Sequence, residues 1–202
     1  MIDEIENFWS TCRKNYAHLK PRGLGENTEY NTHMEKEVFA RCDWEGKTVL
    51  DYGTGGGFCG LHLFNKYKIK KYVGVDVSPR SLQYARETLQ GKNFELHKTP
   101  YDFKRAGADV FFSLACIQHF PDKAYLKNFL GNLQSSGIQT IILQIRAGDE
   151  TVFSNAYKTG GNVGLACIIK PDDLTIGGYV KTNASEIYPS RYMYLQFEKE
   201  AT

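Results

Sequence analysis

Apolar positions recur at three- and four-residue steps from Ile2 to about Leu19 (Ile5, Phe8, Trp9, Cys12, Tyr16), which predicts an amphipathic helix. Pro21-Arg22-Gly23-Leu24-Gly25 breaks it. Met34, Val38 and Phe39 mark one face of a second helix, running from Thr28 or Asn31 towards Cys42. The rhythm then changes. Lys47–Tyr52, Tyr72–Val75, Ala108–Ser113 and Thr140–Ile145 are short, nearly continuous apolar runs, and Phe94–His97 is a weaker one. Helical segments separate them: Cys59–Tyr67, a helix to about Gln90 with Ser78 as N-cap and Pro79 in the first turn, and Asp122–Leu133.

Apolar strands alternating with helices predict a parallel sheet covered on both faces. After Arg146 the pattern loosens into a Gly-rich stretch (159–164). Gly178–Glu186 and Arg191–Phe197 then alternate around Pro189-Ser190 and predict an antiparallel hairpin. The expected fold class is α/β. One domain is expected over 1–202, with a helical cap or lid at 1–45 and the core at 46–202.

Composition narrows the partners. A length of 202 residues suits one domain with a sizeable core, and 42% hydrophobic and 24% charged residues are ordinary globular values. A net charge of +2 is too small to point to a nucleic acid or a membrane surface. Cys12, Cys42, Cys59, Cys116 and Cys167 are odd in number and never spaced as CxxC, which argues against a disulfide framework or zinc site and for a reducing compartment. MIDEIENFW has no apolar signal core, and no run is long enough to span a bilayer. The expectation is a cytoplasmic protein with no metal, since the five histidines form no ligand set. The sequon Asn183-Ala184-Ser185 carries no weight without a secretion signal.

The chemistry-bearing segment is Asp51-Tyr52-Gly53-Thr54-Gly55-Gly56-Gly57. Glycines at 53, 55 and 57 let the backbone turn off the strand and approach a ligand with no Cβ in the way. Asp51 sits at the strand's end. Nineteen residues after Gly57, Asp76 ends the next strand. Carboxyl ends of neighbouring strands open on one crevice, so the loop and both acids converge there. An acid in Asp76's position can accept hydrogen bonds from both hydroxyls of a ribose. The alternative match, GxGxxG over Gly55–Gly60, suggests a nicotinamide or flavin dinucleotide. It would extend the strand to Thr54, burying Asp51 and placing Gly53 in the strand interior. The DxGxGxG register avoids both penalties; a structural turn with no ligand is the third reading.

These segments resemble motif I and the acidic second strand of class I S-adenosylmethionine (SAM)-dependent methyltransferases. Val73–Arg86 continues the likeness, Ala108–Asp122 resembles the family's fourth-strand segment, and Thr140–Ile145 its fifth strand. The resemblance implies a Rossmann-like three-layer sandwich. Its mostly parallel seven-stranded sheet would have the last strand antiparallel, inserted by the terminal hairpin. It implies SAM as cofactor, with Gly53, Gly55 and Gly57 under the methionine part and Asp51 on its ammonium. Asp76 would bind the ribose, Val77 would pack on the adenine, and Leu114 and Ala115 would lie near the sulfonium. The family often has an acid after the third strand for the adenine amine; here only Asp102 or a backbone carbonyl could serve.

His119 is a candidate base near the methyl-transfer position, or a brace for its loop. Cys116 lacks the Pro-Cys pairing of base-methylating nucleophiles and reads as packing, and no Asn/Asp-Pro-Pro-Tyr/Phe motif follows the fourth strand. Arg146, Asp149 and Glu150 lie where acceptor contacts often sit, or in a solvated loop. Trp9, Tyr16 and Tyr30 could close over SAM or simply pack. The Lys70-Lys71 pair and the Lys98, Lys104 and Arg105 cluster read as solvated surface. The segment from Gly148 to Thr175 is short for an acceptor domain, which favours a small-molecule acceptor. A protein or RNA acceptor, a non-catalytic SAM-binding module, and an NAD(P)-dependent oxidoreductase are the alternatives.

Overall fold

Five parallel strands build the centre of the protein, as seen in a computed structural model that describes residues 2–11, 34–153, 167–188 and 192–201. They are β1 (Thr48–Tyr52), β2 (Lys71–Asp76), β3 (Phe94–Lys98), β4 (Val110–Ser113) and β5 (Thr140–Arg146). The hairpin strands β8 (Tyr179–Tyr188) and β9 (Tyr192–Lys199) complete a seven-stranded sheet in the order β3-β2-β1-β4-β5-β9-β8. Only β9 runs against the rest, and it lies between β5 and β8 as expected for the inserted last strand.

Alternate residues of each central strand enter opposite cores, which is why these strands read as unbroken apolar runs. Leu50, Phe111, Ile141 and Leu143 join one cluster with Phe103, Phe120 and Phe129. Val49, Tyr72, Phe112 and Ile142 join the other with Trp44, Leu63 and Leu89. Helices α2 (Phe58–His62, continued by a π-helical turn Leu63–Tyr67), α3 (Pro79–Thr88) and α4 (Lys123–Ser136) follow β1, β2 and β4. Ser78 caps α3 by accepting from Ser81 N–H (3.2 Å), and Asp122 caps α4 by accepting from Tyr125 N–H (2.7 Å).

The N-terminal helix α1 covers Ile2–Thr11. The expected continuation to Leu19, with Cys12 and Tyr16, lies outside the described residues, as do Tyr30, the start of the second helix and the Gly-rich stretch. Of that second helix the described part is a helical turn at 34–37 and a 3-10 turn Phe39–Arg41. Glu35 ties it to the sheet's helical layer through Lys66 (2.6 Å) and His62 (3.0 Å). The pattern gave no sign of β6 (Val152–Phe153) and β7 (Cys167–Ile168), a short antiparallel ribbon beyond β5. Two-residue strands are too short to show a period.

Candidate active site

Parallel registry brings the two acids to one edge. Tyr52 pairs with Val75 on β2, so the carboxyl ends of β1 and β2 lie side by side. The chain then turns sharply, with Gly53, Gly55 and Gly57 all at positive φ (88°, 52° and 77°). At Gly53 a side chain has no room, since a Cβ would fall 2.6 Å from Cβ and Sγ of Cys116. Gly55 is different: a Cβ there would meet nothing within 4 Å. Its N–H donates to Asp76 Oδ2 (2.9 Å), while Ser78 N–H donates to Oδ1 (2.9 Å). One carboxylate therefore holds both the glycine turn and the start of α3.

Asp51 lies within β1 and is 3% exposed, so the burial that the DxGxGxG register is expected to spare it does occur, and its carboxylate is satisfied by accepting from the Tyr72 hydroxyl. Burial pushes its carboxyl up to about 7, against the opposing pull of that hydrogen bond, and the neighbouring Asp76 raises it further. Burial raises Asp76 as well, opposed by the backbone N–H groups of Ser78, Gly55 and Val77. Two desolvated acids beside a backbone cradle favour a cationic ligand with hydroxyl donors, and no lysine or arginine is among the described groups acting on either carboxyl.

The other wall comes from β4. Ser113 donates to Tyr52 C=O (2.8 Å), locking the ends of β4 and β1 together. Ala115 then adopts φ 52°, rare for a residue with a side chain, and its N–H donates to the buried Gln144 side chain on β5 (2.7 Å). Leu114 leans on the second core cluster, whereas Ala115 is exposed. The half-buried Cys116 packs against the first core cluster, with its thiol raised by burial, consistent with packing. His119 is half-buried under Trp9, ring centroids 4.8 Å apart and edge to face.

Helix α1 lies across the strand ends that frame this crevice. Glu6 pairs with Lys98 at the end of β3 (2.6 Å), Ser10 Oγ donates to Ser78 Oγ (3.3 Å), and Trp9 covers the turn after β4. Lys98 is exposed, as a solvated-surface residue would be, and its ammonium also meets α1. Val77 sits half-buried beside Asp76. Asp102 is exposed and caps a 3-10 turn by accepting from Lys104 N–H (3.1 Å). Asp149 and Glu150 are exposed beyond β5, as a solvated loop would have them.

Sequence reasoning missed Tyr72 and Gln144. The signal for Gln144 was present: an amide inside the run Thr140–Ile145 must have a partner when buried. A second cleft, of about 290 Å³, opens at the opposite edge of the sheet among Arg41, Asp43, Lys47, Asp109 and Glu198. Its charges are largely matched. Asp109 accepts from Thr48 N–H (2.8 Å), Glu198 from Thr140 (2.8 Å), and Arg41 pairs with Glu37.

A parallel sheet in this order, closed by one inserted antiparallel strand and carrying a glycine turn between two strand-end acids, defines a class I methyltransferase fold. A family model described as a methyltransferase domain matches residues 43–162, and the chain belongs to that family. It is 29% identical over 96 residues to a trans-aconitate 2-methyltransferase of Rhodopseudomonas palustris (strain BisB18), covering 47% of this chain and 38% of that protein. It is 31% identical over 67 residues to a ribosomal protein L11 methyltransferase of Vibrio campbellii, covering 33% of this chain and 22% of the other. The chain thus spans less than half the length of these curated relatives. Its fold is shared with magnesium protoporphyrin IX methyltransferase from Synechocystis PCC 6803, solved with bound S-adenosylhomocysteine (SAH). That similarity has TM-score 0.66 at 15% identity and covers 97% of this chain and 98% of that one.

Proposed function

We propose that this domain binds SAM in the carboxyl-end crevice and transfers its methyl group to a small-molecule acceptor. The observation that carries the reading is the hydrogen bond from Gly55 N–H to Asp76, which joins the glycine turn and the ribose-binding acid into one preformed cradle. Gly53, Gly55 and Gly57 pass beneath the methionine moiety, Asp51 faces its ammonium, and Asp76 accepts from the ribose hydroxyls. Val77 packs on the adenine, and Leu114 and Ala115 flank the sulfonium. The two acids, Asp51 buried and Asp76 half-buried and both raised by desolvation, suit a ligand that brings positive charge with it.

SAM supplies an activated methyl on a cationic sulfur, so the protein's part is to hold donor and acceptor in line and keep water out. Alignment alone can supply much of the acceleration, with effective molarities of roughly 10⁵–10⁸ M. His119 is then a brace under Trp9 or an auxiliary base, and the transfer does not depend on it. A small acceptor is favoured because α1 lies across the strand ends that frame the crevice. A protein or RNA acceptor would need α1 to move aside. The free thiols at Cys42, Cys59, Cys116 and Cys167 support a reducing, cytoplasmic setting.

Thermal shift with SAM, SAH, NAD(H) and NADP(H) tests the donor. SAM and SAH raise the melting temperature and the dinucleotides do not; stabilisation by a dinucleotide alone overturns the reading. Radiolabelled SAM incubated with fractionated lysate tests the acceptor. Label in the small-molecule fraction is expected, and label in protein or RNA replaces that part of the proposal. No label in any fraction would point to a binding module without catalysis.

A further inference from the structure

Tyr72 belongs to none of the motifs above, yet it sits where they meet. On β2 it pairs with Val49, so its side chain and that of Asp51 are diagonal neighbours on one face of the sheet. It is fully buried. Its hydroxyl donates to Asp51 Oδ2 and lies 2.5 Å from Thr54 Oγ1, within the glycine turn.

Two further glycines make the space. A Cβ on Gly60 would fall 2.7 Å from the Tyr72 ring, so α2 can press onto that ring only without one. A Cβ on Gly74 would fall 2.9 Å from Thr54 Oγ1. Packing alone would be served by phenylalanine. The phenol instead spends its hydroxyl on a carboxylate and on the turn that carries the donor's cradle. The other titratable groups near Asp51 are Asp76 at the end of β2, Cys59 on α2 and Cys116 after β4; none is a cation.

We propose that Tyr72 is a positioning residue for the methyl donor: its hydroxyl, anchored on Thr54, holds one oxygen of Asp51 and keeps the other turned to the donor's α-ammonium. This rests on the SAM reading above. Because the hydroxyl stabilises the ionised carboxylate, it also sets how far into acid the protein can still bind its donor.

The test is calorimetric titration of SAM into the wild type and Tyr72→Phe from about pH 5.5 to about pH 8.5, alone and in an Asp51→Asn background. Tyr72→Phe weakens SAM about tenfold near neutrality and moves the acid limb of binding to higher pH. In the Asp51→Asn background the same change adds nothing. Wild-type affinity with an unmoved limb overturns the proposal, as does an equal loss in the Asp51→Asn background, which would mark a packing role. Should Tyr72→Phe not fold, Thr54→Val removes a hydroxyl that meets both the Tyr72 phenol and the Asp51 carboxylate and moves the limb the same way by less; an unmoved limb there is equally fatal. If the wild type itself fails to bind SAM, it is the donor assignment that falls.

Discussion

The two ends of the central sheet treat charge in opposite ways. At the amino end the charges around the second cleft are paired with one another or with backbone, and several reach water; Asp43 has its side chain 80% exposed and lies 4.0 Å from Lys47. At the carboxyl end the two acids of the crevice, buried Asp51 and half-buried Asp76, have backbone N–H groups and hydroxyls as described partners, with no lysine or arginine among them. A solvated pair gains and loses little. A buried acid with no cation beside it is costly, and the fold keeps Asp51 so, with the half-buried Asp76 beside it. That expense, set against the matched charges opposite, separates the working end of the sheet from the supporting one.

The contrast can be broken by substitution at either end. Asp76→Ala should have the largest effect on binding: it removes the ribose acceptor and frees the glycine turn. A loss of about 1.5–3 kcal/mol, roughly tenfold to a hundredfold in SAM affinity, is expected by calorimetry, and an unchanged dissociation constant would refute the assignment. Gly53→Ala should act on stability instead. A left-handed backbone costs about 1–2 kcal/mol for a residue with a Cβ, and the contact with Cys116 adds to it. Gly55→Ala, with open space around it, should cost only the backbone part. Equal urea midpoints for the two variants would show that the Cys116 contact is not felt.

The pH dependence is subtler and its sign is fixed. The buried Asp51 carboxyl, at about 7 against an ordinary 3.8, holds its proton more tightly in the folded chain than in the unfolded one. Its contribution to stability is complete below about pH 4 and is lost as the pH rises through about 7. Donor binding runs the other way, since the ammonium needs the carboxylate. SAM affinity should climb between about pH 6 and about pH 8, then fall as the donor's own amine loses its proton. An affinity flat over that window would detach Asp51 from the ammonium. The smallest effect belongs to the amino end: Lys47→Ala should leave SAM affinity unchanged and alter stability by less than about 0.5 kcal/mol. A measurable loss of donor binding there would erase the distinction between the two ends.

The supporting scaffold and the glycine turn beside two acids were legible in the sequence for one reason. A parallel strand buried on both faces is a run of apolar residues, and the place where Asp76, or the glycines after Asp51-Tyr52, end such a run marks the crevice. What escaped was set by contacts distant in sequence. Tyr72 reads as one more aromatic in a strand until registry places it diagonal to Asp51. Gln144 reads as an interruption until Ala115 turns its N–H inward. The position of α1 depends on Glu6, Trp9 and Ser10 finding Lys98, His119 and Ser78, and no periodicity encodes those pairings. The acceptor stays unread because the turn after β4 and the ribbon β6–β7 offer shape rather than a charged signature.

The placement of β9 has a consequence for how the molecule is made. Until residues 192–199 have been synthesised, the backbone N–H and C=O groups along one edge of β5 have no strand to pair with. The sheet closes from its middle, late, and with a strand that must slot between its hairpin partner and β5. Chaperone dependence and aggregation during synthesis should therefore track the hairpin, even for variants whose donor cradle is untouched.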